Sequence, residues 1–118
     1  MAEPIRILIV DDDAEVLIAL ERMLEGEGYS TVTAWSGREA LLLADRGRFD
    51  VLLLDEHLAD LEVGELCEEL LRRQPGALPF LMHTKKSATR KAVSASHPNI
   101  CKWEHGELKA QIQRSLAA

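Results

Sequence analysis

A chain of 118 residues, 47% of them hydrophobic and 29% charged, fits one soluble domain spanning 1–118 with a real core and is too short for two. Its net charge of −6, with no basic stripe, argues against direct binding to nucleic acid. No apolar run reaches the roughly 18 residues of a membrane span and no signal-peptide pattern opens the chain, so the cytosol is the expected compartment.

The charge is uneven. Residues 1–60 hold 14 acids and 5 bases, giving −9, whereas residues 61–118 hold 6 acids and 9 bases, giving +3. The densest basic run is Lys85-Lys86 with Arg90-Lys91, which reads as a solvated loop and helix face. Cys67 and Cys101 fall in a predicted helix and a predicted strand, far from any metal-ligand spacing, and read as reduced structural thiols.

In chain order, Ile5–Val10 is a first strand, with Pro4 at a position a strand start tolerates. Asp13 can cap a helix from Ala14 to about Glu25, because Val16, Leu17, Leu20, Met23 and Leu24 recur at helical spacing and Gly26 and Gly28 follow. Thr31–Ala34 is a short second strand. Ser36 and Glu39 have capping-box spacing and open a helix that ends near Arg46-Gly47. Val51–Leu54 is a third strand, and its four consecutive aliphatics mark it as buried on both faces. A polar loop from Glu56 to Glu62 leads to a helix over about Gly64–Gln74, faced by Leu66, Leu70 and Leu71 and ended by Pro75-Gly76. Pro79–His83 is a fourth strand, Ser87–Ser96 a weak helix, Ile100-Cys101 a short fifth strand, and Glu107–Leu116 a closing helix.

Five strands alternating with five helices imply βαβ units and an α/β fold with one doubly wound five-stranded parallel sheet. The order 2-1-3-4-5 places strands one and three side by side. Asp11, Asp12 and Asp13 then meet Asp55 where the carboxyl ends of the strands form the usual ligand edge. Like charges so close raise one another's pKa, and a hard divalent cation with oxygen ligands relieves them. Mg²⁺ is the predicted occupant.

These residues resemble the receiver domains of bacterial two-component response regulators, chemotaxis-regulator-like and flavodoxin-like in fold. The resemblance covers nearly the whole chain. It rests on Asp11-Asp12 after strand one, Asp55 ending strand three, Thr84 after strand four and Lys102 after strand five. The loop from Asp55 to Gly64 follows the family's spacing of aspartate, proline, aspartate and glycine, with Ala59 in place of proline. The resemblance implies that Asp55 accepts a phosphoryl group from a histidine kinase or histidine phosphotransfer protein. It implies Mg²⁺ held by Asp12, Asp55 and the backbone carbonyl of His57, with Asp11 acting partly through water. Lys102 would offer a cation to a phosphate oxygen and Thr84 a hydroxyl hydrogen bond. The protein would then be a signalling phosphoacceptor, with self-catalysed phosphotransfer and slow autodephosphorylation only.

Four departures lie on one side of this pocket. Lys85 stands where the family has a small residue, so that it screens the site or binds the phosphate. Trp103 replaces the proline after the lysine, and a trans bond is expected there because a cis bond to tryptophan costs roughly 3 kcal/mol. Asn99 replaces the aromatic switch residue. The fourth helix is shortened or irregular. His57, two residues after Asp55, is placed to tune phosphotransfer, while His83, His97 and His105 have no metal-ligand spacing. The output partner, of unknown identity, would use the 84–118 face, where receivers also form homodimers. Two other readings stand beside this one. One is a pseudo-receiver or interaction module switched by protein contact. The other is a haloacid-dehalogenase-like phosphohydrolase with Asp11 as nucleophile, since Asp11-Asp12-Asp13 also matches a D-x-D start.

Overall fold

The computed structural model describes residues 3–83, 99–101 and 105–117. Strands β1 (Arg6–Val10), β2 (Ser30–Ala34), β3 (Val51–Asp55), β4 (Leu78–His83) and β5 (Asn99–Cys101) form one sheet in the order β2-β1-β3-β4-β5. Every pairing is parallel. The helices among the described residues are α1 (Ala14–Gly26), α2 (Gly37–Arg46), α3 (Val63–Arg73) and α4 (His105–Ala117). α4 is the predicted closing helix. The helix predicted over Ser87–Ser96, and with it the count of five, lies outside the described residues, as do Thr84, Lys85, Lys102 and Trp103. No helix among the described residues is long and apolar enough to cross a membrane.

The strands alternate between two apolar layers, as a two-sided parallel sheet requires. Leu8, Val10, Leu52, Leu54 and Leu81 pack with Ala40 and Ala44 of α2 and Leu66 and Leu70 of α3. Ile7, Ile9, Val51, Leu53, Phe80 and Met82 pack on the other side with Leu17, Leu20 and Leu24 of α1 and Leu108 and Ile112 of α4. β3 is buried along its whole length and ends in Asp55.

Local chemistry sets the ends of the elements. α1 continues through Gly26 and stops where Gly28 turns to φ +92°, a conformation open to glycine, while the Tyr29 N–H donates to the Leu24 carbonyl at 3.2 Å. α2 opens with the Ser36 hydroxyl accepting from the Glu39 N–H at 3.1 Å. The predicted capping box closes one residue early, because Glu39 reaches back to the Trp35 N–H at 2.8 Å. At the amino-terminal edge of the sheet Asp50 accepts from the Arg6 N–H at 2.9 Å, and its carbonyl accepts from the Leu78 N–H at 2.9 Å. Three strands are tied together there.

Cys67 is buried in α3, and burial, reinforced by Glu68, pushes its thiol from the ordinary 9.0 up to about 11. An unfolded thiol ionises near 9.0, whereas the folded one keeps its proton to about 11. The unfolded state therefore binds fewer protons in that window, and this contribution to stability is lost as pH rises through it. Maleimide at neutral pH is expected to leave Cys67 unmodified in the native protein and to label it fully in denaturant, as read by peptide mass mapping. Fast native labelling would contradict the buried thiol.

Candidate functional site

The register decides which acids meet. Val10 pairs with Leu54, so the residues that follow β1 are level with Asp55 at the carboxyl end of β3. One carboxylate oxygen from each of Asp11, Asp12 and Asp55 lies within 4.8 Å of the others. Asp11 and Asp55 are 0% and 2% exposed, while Asp12 is open to solvent. Two buried acids thus form a floor and the third a mouth. The sequence allowed up to four acids here. Asp13 instead accepts from the Glu15 N–H at 2.9 Å and caps α1.

Each member is oriented by backbone. The Asp11 N–H donates to the Ala34 carbonyl at 3.1 Å, which fixes the chain against the end of β2. Asp11 Oδ1 accepts from the Asp13 N–H at 2.9 Å, and Asp55 Oδ1 accepts from the His57 N–H at 3.2 Å. Past Asp55, the Glu56 N–H donates to the Met82 carbonyl at 2.9 Å and holds the loop to β4. The His57 imidazole points outward, with its side chain 73% exposed and Nε2 3.9 Å from a Glu56 oxygen. Thr84 and Lys102 directly follow β4 and β5 in sequence and lie outside the described residues.

The β3–α3 loop holds Asp60, an aspartate of the family spacing whose contact with α2 the sequence did not reveal. Asp60 Oδ1 accepts from the Gly37 N–H and Oδ2 from the Arg38 N–H, each at 3.0 Å. Desolvation pushes the Asp60 carboxyl up, but the hydrogen bonds from Gly37 and Arg38, helped by the Arg38 charge, outweigh it and hold the carboxyl below its ordinary value. Glu62 then caps α3 by accepting from Gly64 at 3.0 Å and Glu65 at 2.9 Å.

A cavity of about 570 Å³ lies at the opposite end of the sheet, between the carboxyl ends of α2 and α3. The buried Gln74 beside it accepts from the Phe49 N–H at 3.1 Å and donates to the Ala44 and Gly47 carbonyls at 2.8 and 2.7 Å. Its polar groups serve the fold.

The donor set at the carboxyl edge fits Mg²⁺: hard oxygen donors, two of them buried, close enough to share one ion and mutually repulsive without it. A carboxylate beside such an ion can serve as a nucleophile toward phosphorus, with its charge and that of the incoming group both balanced.

Comparison with known proteins bears on the family and the fold. The transcriptional regulatory protein GlrR of Escherichia coli K12 is 34% identical over 98 residues, which are 83% of this chain and 22% of that protein, so the chain spans about a fifth of its relative's length. A CheY-like response regulator receiver domain protein of Methanospirillum hungatei superposes with a TM-score of 0.88 at 29% identity, covering 98% of this chain and 95% of the other. The response regulator TrrA of Thermotoga maritima, solved in complex with Mg²⁺–BeF, gives 0.82 at 27% identity over 93% and 97% of the two chains. Residues 7–101 match the response regulator receiver domain family, and the chain belongs to that family of two-component signalling domains.

Proposed function

We propose that this receiver domain takes a phosphoryl group onto Asp55 in a Mg²⁺-dependent reaction, from the phosphohistidine of a histidine kinase or histidine phosphotransfer protein. The observation that carries the proposal is the placement of a buried Asp55 oxygen within 4.8 Å of Asp11 and Asp12 at the end of the central strand. An Asp55 oxygen attacks phosphorus, an O–P bond forms as the N–P bond breaks, and the imidazole leaves and recovers a proton. Asp12, Asp55 and the His57 carbonyl would hold Mg²⁺, with Asp11 acting partly through water. The chemistry a bound Mg²⁺ supplies is neutralisation of the anionic phosphoryl oxygens. Thr84 donates a hydroxyl to the new phosphate and Lys102 a fixed charge. The His57 N–H, already donating to Asp55, orients the nucleophile.

The domain acts in the cytoplasm as a signalling acceptor rather than as a turnover enzyme, and passes its state to an output partner through the 84–118 face. The test is intact-mass measurement after incubation with Mg²⁺ and a small acyl phosphate. One phosphate adduct that fails to form in chelator is expected. Mg²⁺ binding without an adduct would indicate a module switched by protein contact. Steady donor turnover dependent on Asp11 would indicate a phosphohydrolase.

A further inference from the structure

Asp60 stands five residues beyond Asp55 and reaches the amino end of α2. Both of its oxygens are engaged by the first two amides of that helix, at 3.0 Å each. An α-helix cannot satisfy those amides itself, and the local cap, Ser36, serves only Glu39. The next residue along the loop makes a second, apolar contact with α2. Leu61 occupies the space a Cβ on Gly37 would need: Cδ1 would be 2.7 Å away, and Cβ and Cγ 3.1 Å. The loop is therefore docked on α2 by a polar and an apolar contact from adjacent residues. At its other end it is tied by the Glu56 N–H to β4 and by the His57 N–H to Asp55. The backbone beside the phosphoacceptor lies between these two anchors.

We propose that Asp60 is a positioning residue for the acceptor site, clamping the 56–61 loop to the amino end of α2 so that the backbone at His57 is set before Mg²⁺ arrives; this rests on the phosphoacceptor reading above. A loop fixed in advance does not have to be ordered when the ion binds, so the clamp acts through affinity. A residue that only capped α2 would change stability and leave affinity alone. The low-lying Asp60 carboxyl is consistent with the clamp, since the carboxylate form keeps both acceptors.

The experiment is calorimetric titration with Mg²⁺ alone, run beside thermal unfolding without metal, on the full chain and three variants. Asp60→Ala is expected to raise the Mg²⁺ Kd roughly tenfold, the low end for a residue supporting metal ligands from outside the ligand set. Asp60→Asn, which keeps one acceptor oxygen, is expected to recover most of the affinity. Gly37→Ala separates helix from clamp: alanine favours the helix, but its Cβ displaces Leu61, so metal affinity should fall while α2 is intrinsically strengthened. As a control, Ser36→Ala removes the local cap and should lower the Tm with an unchanged Kd. Wild-type Kd in both Asp60→Ala and Gly37→Ala would overturn the clamp. So would a loss of affinity in Ser36→Ala equal to that in Asp60→Ala. Absence of Mg²⁺ binding by the unaltered protein would overturn the phosphoacceptor reading and the clamp together, whereas binding with no phosphate adduct would leave the clamp standing as a feature of the metal site.

Discussion

Asp55→Asn is expected to abolish the phosphate adduct completely while making the metal-free protein more stable. The amide has no anionic oxygen with which to attack phosphorus, and no other described carboxylate replaces it in kind: Asp11 is buried with Oδ1 already accepting from the Asp13 N–H. Its carbonyl oxygen can still accept from the His57 N–H, so the loop keeps its inner anchor. The gain in stability follows from charge. Two carboxylate charges 4.8 Å apart, the widest separation the cluster allows, repel by about 3.5 kcal/mol at an effective dielectric near 20. Because Asp12 is exposed and salt screens the cluster, a net gain of roughly 1 kcal/mol is expected. Urea unfolding in chelator should show a raised midpoint, and excess Mg²⁺ should reverse the order of the two proteins. An adduct retained in Asp55→Asn would move the acceptor elsewhere.

Leu53→Ala is expected to cost about 3 kcal/mol, a large share of the roughly 5–15 kcal/mol that holds a domain of this size. Leu53 is 0% exposed, sits between Ile9 of β1 and Phe80 of β4, and touches the layer formed by α1 and α4. The truncation leaves a hole that a strand packed on both faces cannot collapse to fill. Leu42→Ala, by contrast, removes a side chain in a position 60% exposed on α2 and should move stability by no more than about 0.5 kcal/mol. The comparison is made from urea midpoints at equal m-value. A loss below 1 kcal/mol at Leu53 would contradict the buried placement of β3.

The features legible from sequence were those with a local pattern. Four aliphatics before Asp55 could only be a strand buried on both faces, and the alternation of elements set the sheet order, so Asp11, Asp12 and Asp55 were predicted as neighbours and are. Asp13 and Ser36 were read as caps because a cap lies within three residues of the amides it serves. Asp60 stood in the family spacing and Gln74 at a predicted helix end, but the contacts of both were missed for the opposite reason. Their partners are 22 to 30 residues away in the chain, and nothing beside them in sequence distinguishes an acid that reaches another helix from one in solvent. Glu39 was assigned its capping role but not its partner, Trp35, because a one-residue difference in reach depends on how the chain enters the helix. The resemblance added Thr84, Lys102 and the carbonyl of His57, which no periodicity reveals.

The pairing of β1 with β3 also bears on how the protein is made. During synthesis β1, α1 and β2 emerge before β3, and β2 can pair with only one edge of β1. The other edge, carrying Ile7 to Val10, waits for residues 51–54 to leave the ribosome. Until then an apolar strand with open backbone groups is available to any neighbouring chain. The same register that brings Asp11 level with Asp55 therefore leaves a vulnerable interval in the nascent polypeptide, closed only when the segment bearing the phosphoacceptor arrives.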